Sequence, residues 1–278
     1  MIMMKTSFKK KLALAMIAGL LTCSVSYAAP AVAERENLNQ VALLQSLAQG
    51  YFGGTVTVRD MRALGDIGIG TFEGLNGEMI MLDGTVYQAL GDGRVVVADD
   101  EVAVPYATVT YFDNDHSVEL KDVRDKAAFE KIMDEEVKKC GENSFYMIKM
   151  HTQFPSILFR SEYGSQKPYP TLVEALKGKQ TEFTAKNIKG TLVGLYCPNY
   201  MGGLNTPGWH FHFISDDRKQ GGHVLELSVK NGTVGFDKTD KFTMILHNDQ
   251  QFHQMNLAKD MSKDIKSAEH DTQSAMNK

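Results

Sequence analysis

The feature that most constrains this chain is the way its apolar segments are punctuated. "GTVTVRDMRAL", "GIGTF", "EMIML", "TVYQAL" and "RVVVAD" are short alternating or apolar runs. They are divided by Gly65-Asp66, Asn76-Gly77, Asp83-Gly84 and Gly91-Asp92-Gly93. Runs of this length suit strands, and Asn-Gly or Asp-Gly between them favours hairpins, because both residues tolerate positive φ. This stretch reads as an antiparallel meander. "YATVTYF", "FYMIKMHTQF" and "PSILFRSEY" extend the pattern, and "GTLVGLYCP", "GWHFHFI", "GHVLELSV" and "KFTMILHN" repeat it later.

Helices are fewer. Residues 34–50 read as a short helix with Val41, Leu43, Leu44 and Leu47 towards one face. A longer helix is expected over 123–139, where Phe129, Ile132, Met133 and Val137 share a face and Gly141 stands at its end. "KPYPTLVEAL" reads as a loop leading into a short helix. The tail from Asp249 is polar, with one short helix at 263–269. The fold class is α+β (mixed α/β) and strand-rich. Two sheet-containing domains are expected: residues 29–175, a sheet with its helix, and residues 176–278, a β domain with a metal site on a hairpin and a polar tail.

The N-terminus has its own logic. Lys5, Lys9, Lys10 and Lys11 precede the apolar run "LALAMIAGLL", and small residues follow at Ser26 and Ala28. That is the order of a secretory signal peptide, with cleavage expected after Ala28 and a second possible site after Ala33. The run is too short for a comfortable membrane span. Thr22 is a poor residue before a lipidated Cys23. Removing residues 1–28 takes away four lysines and no acids, so the formal charge moves from −4 to −8. An acidic surface argues against nucleic acid as a partner. Only Cys140 and Cys197 then remain of the three cysteines. They could pair in an oxidising compartment, but the fold does not need a disulfide framework.

"GWHFHFISDDRKQGGH", Gly208 to His223, holds three of the eight histidines. Alternate residues of a strand share a face, so His210 and His212 project together while Trp209, Phe211 and Phe213 face the other way. A hairpin through "SDDRKQGG" brings His223 opposite the pair. Three imidazoles holding zinc leave its fourth position open, which is a catalytic arrangement; Cys197 as a fourth ligand would close it. Iron, manganese or nickel also suit imidazole. Taken singly, Glu78 reads as a solvated strand-end carboxylate, Arg160 as a surface or salt-bridged residue, and Glu269 as part of a frayed tail. His151, His247 and His253 lack partners at ligand spacing.

Longer motifs carry a resemblance. "GDIGIGTFEGLNGEMIMLDG", "FYMIKM", "KPYPTL", "GTLVGLYCPNYMGGLNTPGWHFHFISDDRKQGGHVLEL" and "DIKSAE" are similar to those of the α-acetolactate decarboxylases. The resemblance implies two α/β domains, commonly in a homodimer, and the family includes secreted members. It implies His210, His212 and His223 as metal ligands, Glu78, Arg160 and Glu269 as catalytic residues, Zn2+ or another divalent ion, and no organic cofactor. The implied reaction converts (S)-2-hydroxy-2-methyl-3-oxobutanoate to (R)-acetoin and CO2. The ketone accepts the electron pair left by CO2, and a metal chelated by the ketone and hydroxyl oxygens stabilises the resulting enediolate. Arg160 suits the substrate carboxylate, Glu78 or Arg160 the final protonation, and Glu269 closure of the site. Two other classes remain open on the residues: a secreted zinc hydrolase, and a non-enzymatic periplasmic metal- or ligand-binding module.

Overall fold

The computed structural model describes residues 34–270 and 272–276. The expected signal peptide, its cleavage sites and Cys23 lie outside these residues. The chain begins with β1 (Asn37–Val41), α1 (Leu44–Ala48), β2 (Val56–Thr57), α2 (Val58–Arg62), β3 (Ile67–Thr71), β4 (Glu78–Leu82) and β5 (Thr85–Ala89). It continues through β6 (Val95–Val97), β7 (Ala103–Val104), β8 (Tyr106–Thr110), β9 (His116–Val123), α3 (Lys126–Cys140), β10 (Phe145–Glu162) and α4 (Leu172–Leu176). It ends with β11 (Gln180–Cys197), β12 (Gly208–Ser215), β13 (Gly221–Thr239), β14 (Lys241–Ile245), α5 (Gln250–His253), α6 (Ser262–His270) and α7 (Gln273–Met276).

The strands form a seven-stranded sheet in the order β14-β1-β8-β3-β4-β5-β6, and a five-stranded sheet in the order β10-β11-β12-β13-β9. Of the expected meander, β3-β4-β5-β6 is antiparallel throughout, whereas "GTVTVRDMRAL" forms only the two-residue β2 and then turns into α2. Asp83 and Gly84 form the meander's tightest turn, at φ 49° and 76°, the left-handed pair that a two-residue hairpin requires. In the second sheet β10 bonds to β11 along one edge and to β13 along the other, so the strands close on themselves. Gly222 permits that closure. At φ +152°, a Cβ there would lie 2.2 Å from the Arg160 carbonyl oxygen.

Closure divides the side chains between two environments. Phe154, Phe159, Phe211, Phe213 and Val224 fill one core, against which Phe129, Met133 and Val137 of α3 pack. Asp125 caps α3 by accepting the Ala128 N–H at 2.7 Å, and Gly141 ends it at φ 116°. On the opposite face, Met147, Val193, Leu195 and Ile214 meet Ile67, Ile69, Ile80 and Leu82 of the seven-stranded sheet. The functional residues lie at this sheet-to-sheet contact.

Three expectations need correction. The boundary after residue 175 does not separate the sheets. β10 and β11, on either side of it, are bonded along their length, and β14 returns to pair in parallel with β1. The described residues form one compact unit. Residues 34–50 are not one helix, because Asn37–Val41 is drawn into strand between β14 and β8. The tail is not frayed. Met261, Ile265 and Ala268 are buried against Leu44 and Leu47 of α1 and Leu172 and Leu176 of α4.

Candidate metal and active site

Strand register assembles the site. Trp209, Phe211 and Phe213 turn into the aromatic core, so His210 and His212 project from the other face of β12. His212 lies opposite His223 on β13, and His223 lies opposite Arg160 on β10. Glu162 follows two residues later on the same face as Arg160. Across the gap stands Glu78, the first residue of β4, and α6 brings Glu269 over the top. Glu78, Arg160, Glu162, His210, His223 and Glu269 all line one cavity, whose wall also includes Thr71, Tyr106, Leu172 and Leu176. The structure therefore brings together every site residue expected from the sequence.

Among the described residues, His210, His212 and His223 form a group able to hold a metal ion. His210 Nε2 is 3.1 Å from His212 Nε2 and 2.9 Å from His223 Nδ1. The outer nitrogens of two rings are engaged. His212 Nδ1 donates to the Met79 carbonyl at 2.8 Å, and His223 Nε2 to the Glu269 carbonyl at 2.8 Å. These bonds set the tautomers and turn the remaining lone pairs inward. Burial pushes His210 down to about 3 and holds His212 and His223 well below the usual imidazole range. Three neutral rings with converging lone pairs repel one another unless a cation lies among them. The donor set thus fits a divalent ion, with nitrogen spacings near the ~3.3 Å edge of a tetrahedron with 2.0–2.1 Å bonds. The fourth ligand considered from sequence is not in the cluster. Cys197 is buried elsewhere on β11, and it and Cys140 are both free thiols.

The carboxyl groups are the second half of the site. Glu78 Oε2 is 3.4 Å from His212 Nε2, and Glu269 Oε2 is 3.3 Å from His210 Nδ1. Burial raises Glu78 well above the ordinary carboxylate range, and the neighbouring Glu162 raises it further while Arg160 opposes. Glu162 is hydrogen-bonded to Glu78 and is pushed up to about 7, chiefly by burial. Glu269 is also raised by burial. Arg160, 3% exposed, donates to the Ala268 carbonyl and ties β10 to α6. Such an array can bind an anion, hold a cation and keep a proton on a carboxyl group at neutral pH.

Sequence reasoning missed Glu162 and Tyr106. For Glu162 a signal was present: two residues from Arg160 in a strand means the same face. His151, by contrast, pairs with exposed Asp216, and His247 is buried against Tyr51; neither approaches the cavity.

Comparison with known proteins bears on this geometry. Residues 38–259 match the family model for alpha-acetolactate decarboxylase. The chain is 38% identical to the alpha-acetolactate decarboxylase of Methanosarcina mazei, over 84% of this chain and 80% of that protein. It is 34% identical to that of Brevibacillus brevis, over 85% and 82%. Among solved structures, the alpha-acetolactate decarboxylase of Bacillus subtilis superposes with a TM-score of 0.81 at 31% identity, covering 84% of this chain and 99% of that one. With the motifs, the fold and the matched length in agreement, the chain belongs to the alpha-acetolactate decarboxylase family.

Proposed function

We infer that this chain is a carboxy-lyase that decarboxylates acetolactate, 2-hydroxy-2-methyl-3-oxobutanoate, to acetoin and CO2. The observation that carries this beyond family membership is the cavity itself, where an arginine and three carboxyl groups surround converging imidazoles. His210, His212 and His223 are the residues that would hold a divalent ion, zinc by preference for a three-imidazole set. Such an ion would supply Lewis acidity where negative charge develops as the ketone accepts the electron pair left by CO2.

The chain's own residues do the remaining work. The planar Arg160 guanidinium orients the substrate carboxylate through paired N–H donors. The apolar walls from Leu172 and Leu176 exclude water beside it. Burial beside Glu162 favours the protonated form of the Glu78 carboxyl. Glu78 delivers that proton to the substrate carbon from the β4 side only, which gives one enantiomer, (R)-acetoin. Glu162 holds the Glu78 carboxyl in place and shares its proton. Glu269 closes the cavity from α6, accepts the proton of the substrate hydroxyl and returns it to the same oxygen as acetoin forms. The reaction consumes one proton overall, so Glu78 must be recharged from solvent after each turnover.

Two wider features belong to the same proposal. The lysine-headed apolar segment before residue 29 directs export to the periplasm or beyond. The chain works as a homodimer; support comes from β6, an edge strand carrying Val96 and Val97, which are 38% and 58% exposed. The test of function is metal analysis coupled to product analysis on the purified chain. Release of CO2 and acetoin from acetolactate, lost together with bound metal in His210→Ala, is expected. Metal binding without product formation would defeat the proposal, and normal turnover in His210→Ala would remove that ligand.

A further inference from the structure

A second group of ligating side chains lies outside the catalytic cavity. His116 opens β9, the edge strand of the five-stranded sheet. Glu136 and Cys140 sit one turn apart on the last turns of α3, a spacing that puts both on one helix face. His116 Nε2 is 3.2 Å from Glu136 Oε1. Cys140 Sγ is 3.8 Å from His116 Nε2 and 3.7 Å from Glu136 Oε1. For zinc at 2.3 Å from sulfur and 2.0–2.1 Å from nitrogen or oxygen, tetrahedral edges are about 3.6 Å to sulfur and about 3.3 Å between nitrogen and oxygen. All three separations in this group fall close to those edges.

The surroundings hold this arrangement. The His116 ring stacks on Phe236 with centroids 4.8 Å apart and planes 16° apart, which fixes its orientation. Lys139 bonds the other carboxylate oxygen of Glu136 at 3.0 Å and leaves Oε1 facing the histidine and the thiol. The His116 side chain is 30% exposed and that of Glu136 16%, so the group is open to solvent. An ion pair accounts for His116 and Glu136, and the Cys140 thiol donates to Glu136 Oε1, which directs its sulfur at the same point as the other two groups. A carboxylate and a thiolate together neutralise a divalent ion, and the thiol proton would leave on binding.

We propose that His116, Glu136 and Cys140 form a second metal site, selective for a thiophilic divalent ion such as Zn2+, that fastens the C-terminal end of α3 to edge strand β9. Three ligands leave the fourth position to water. The site is separate from the histidine cluster and takes no part in decarboxylation.

Cobalt(II) is the probe, added to the metal-stripped full-length protein. Wild type is expected to show a thiolate-to-cobalt charge-transfer band in the near ultraviolet. Cys140→Ser should lose the band and bind one ion fewer per chain, with decarboxylase turnover unchanged. His116→Asn and Glu136→Gln should each weaken the band-forming site at least about tenfold. The histidine cluster contains no thiol, so the band reports this site whatever the cluster holds. A wild-type protein without the band, or a band that survives Cys140→Ser, overturns the proposal. Unchanged ion stoichiometry in both Cys140→Ser and His116→Asn overturns it as well.

Discussion

Glu78 is a carboxyl group placed where burial, a second carboxyl and an imidazole all meet. Glu78→Gln keeps the shape and removes the proton. The variant should bind metal normally and lose turnover by ~10²–10⁴; wild-type rates would exclude Glu78 from proton delivery. Glu162 makes a different prediction, about stability. Its folded-state value, about 7, lies above the ordinary 4.5. Its contribution to stability is therefore complete below about 4.5 and is lost as pH rises through about 7. Glu162→Gln cannot ionise and escapes that loss. In metal-free protein, its melting temperature should gain on wild type by several degrees between about pH 5 and 8; a gap that does not move with pH would show that Glu162 is not the titrating group. These two glutamates also show what a sequence can and cannot disclose. His210 and His212 are legible because strand alternation alone gives them a common face. Glu162 has the same local logic, yet it faces a cavity whose other walls, Glu78, His223 and Glu269, lie more than sixty residues away in the chain, and no local pattern announces that.

At the scale of single elements, α6 is the most consequential. Its backbone serves the site as much as its side chain does. The Glu269 carbonyl accepts from His223, the Ala268 carbonyl from Arg160, and Glu269 itself faces His210. Removing residues 262–278 takes away the Glu269 carboxylate together with these carbonyls and should lower turnover by at least ~10²-fold. Ile265→Asp tests the same element in the full-length chain, since a buried carboxylate would unseat the helix. Rates equal to wild type in both variants would return the tail to a passive role. A faint apolar stripe at Met261, Ile265 and Ala268 was available in the sequence. It is too short to assign a partner, because its docking surface is built from α1 and α4, at the far end and in the middle of the chain. The same distance effect misleads at residues 37–41. A stretch that reads as helix becomes strand because β14, from the other end of the chain, bonds to it.

Taken whole, the molecule joins its two sheets through chain crossings that composition does not reveal. β9 and β10 leave the N-terminal half for the second sheet, and β14 comes back to the first. The number and kind of strands could be read from turn punctuation, whereas their allocation depends on pairings between distant segments. The arrangement leaves the seven-stranded sheet with β6 as one free edge, and that edge is short, apolar and open to solvent. Edges of this kind are normally blunted by charge or covered by another chain. Val97, 58% exposed, has no charged neighbour within its strand, so a second copy pairing along this apolar edge is the proposed cover. Val97→Lys places a charge on the edge without touching the cavity wall. In sedimentation velocity, wild type should run as a dimer and Val97→Lys as a monomer, with acetoin formation per chain preserved. A variant that stays dimeric would move the interface off β6. Loss of activity on dissociation would instead mean that the partner copy supports the site, and α6 would be the first element to examine for that contact.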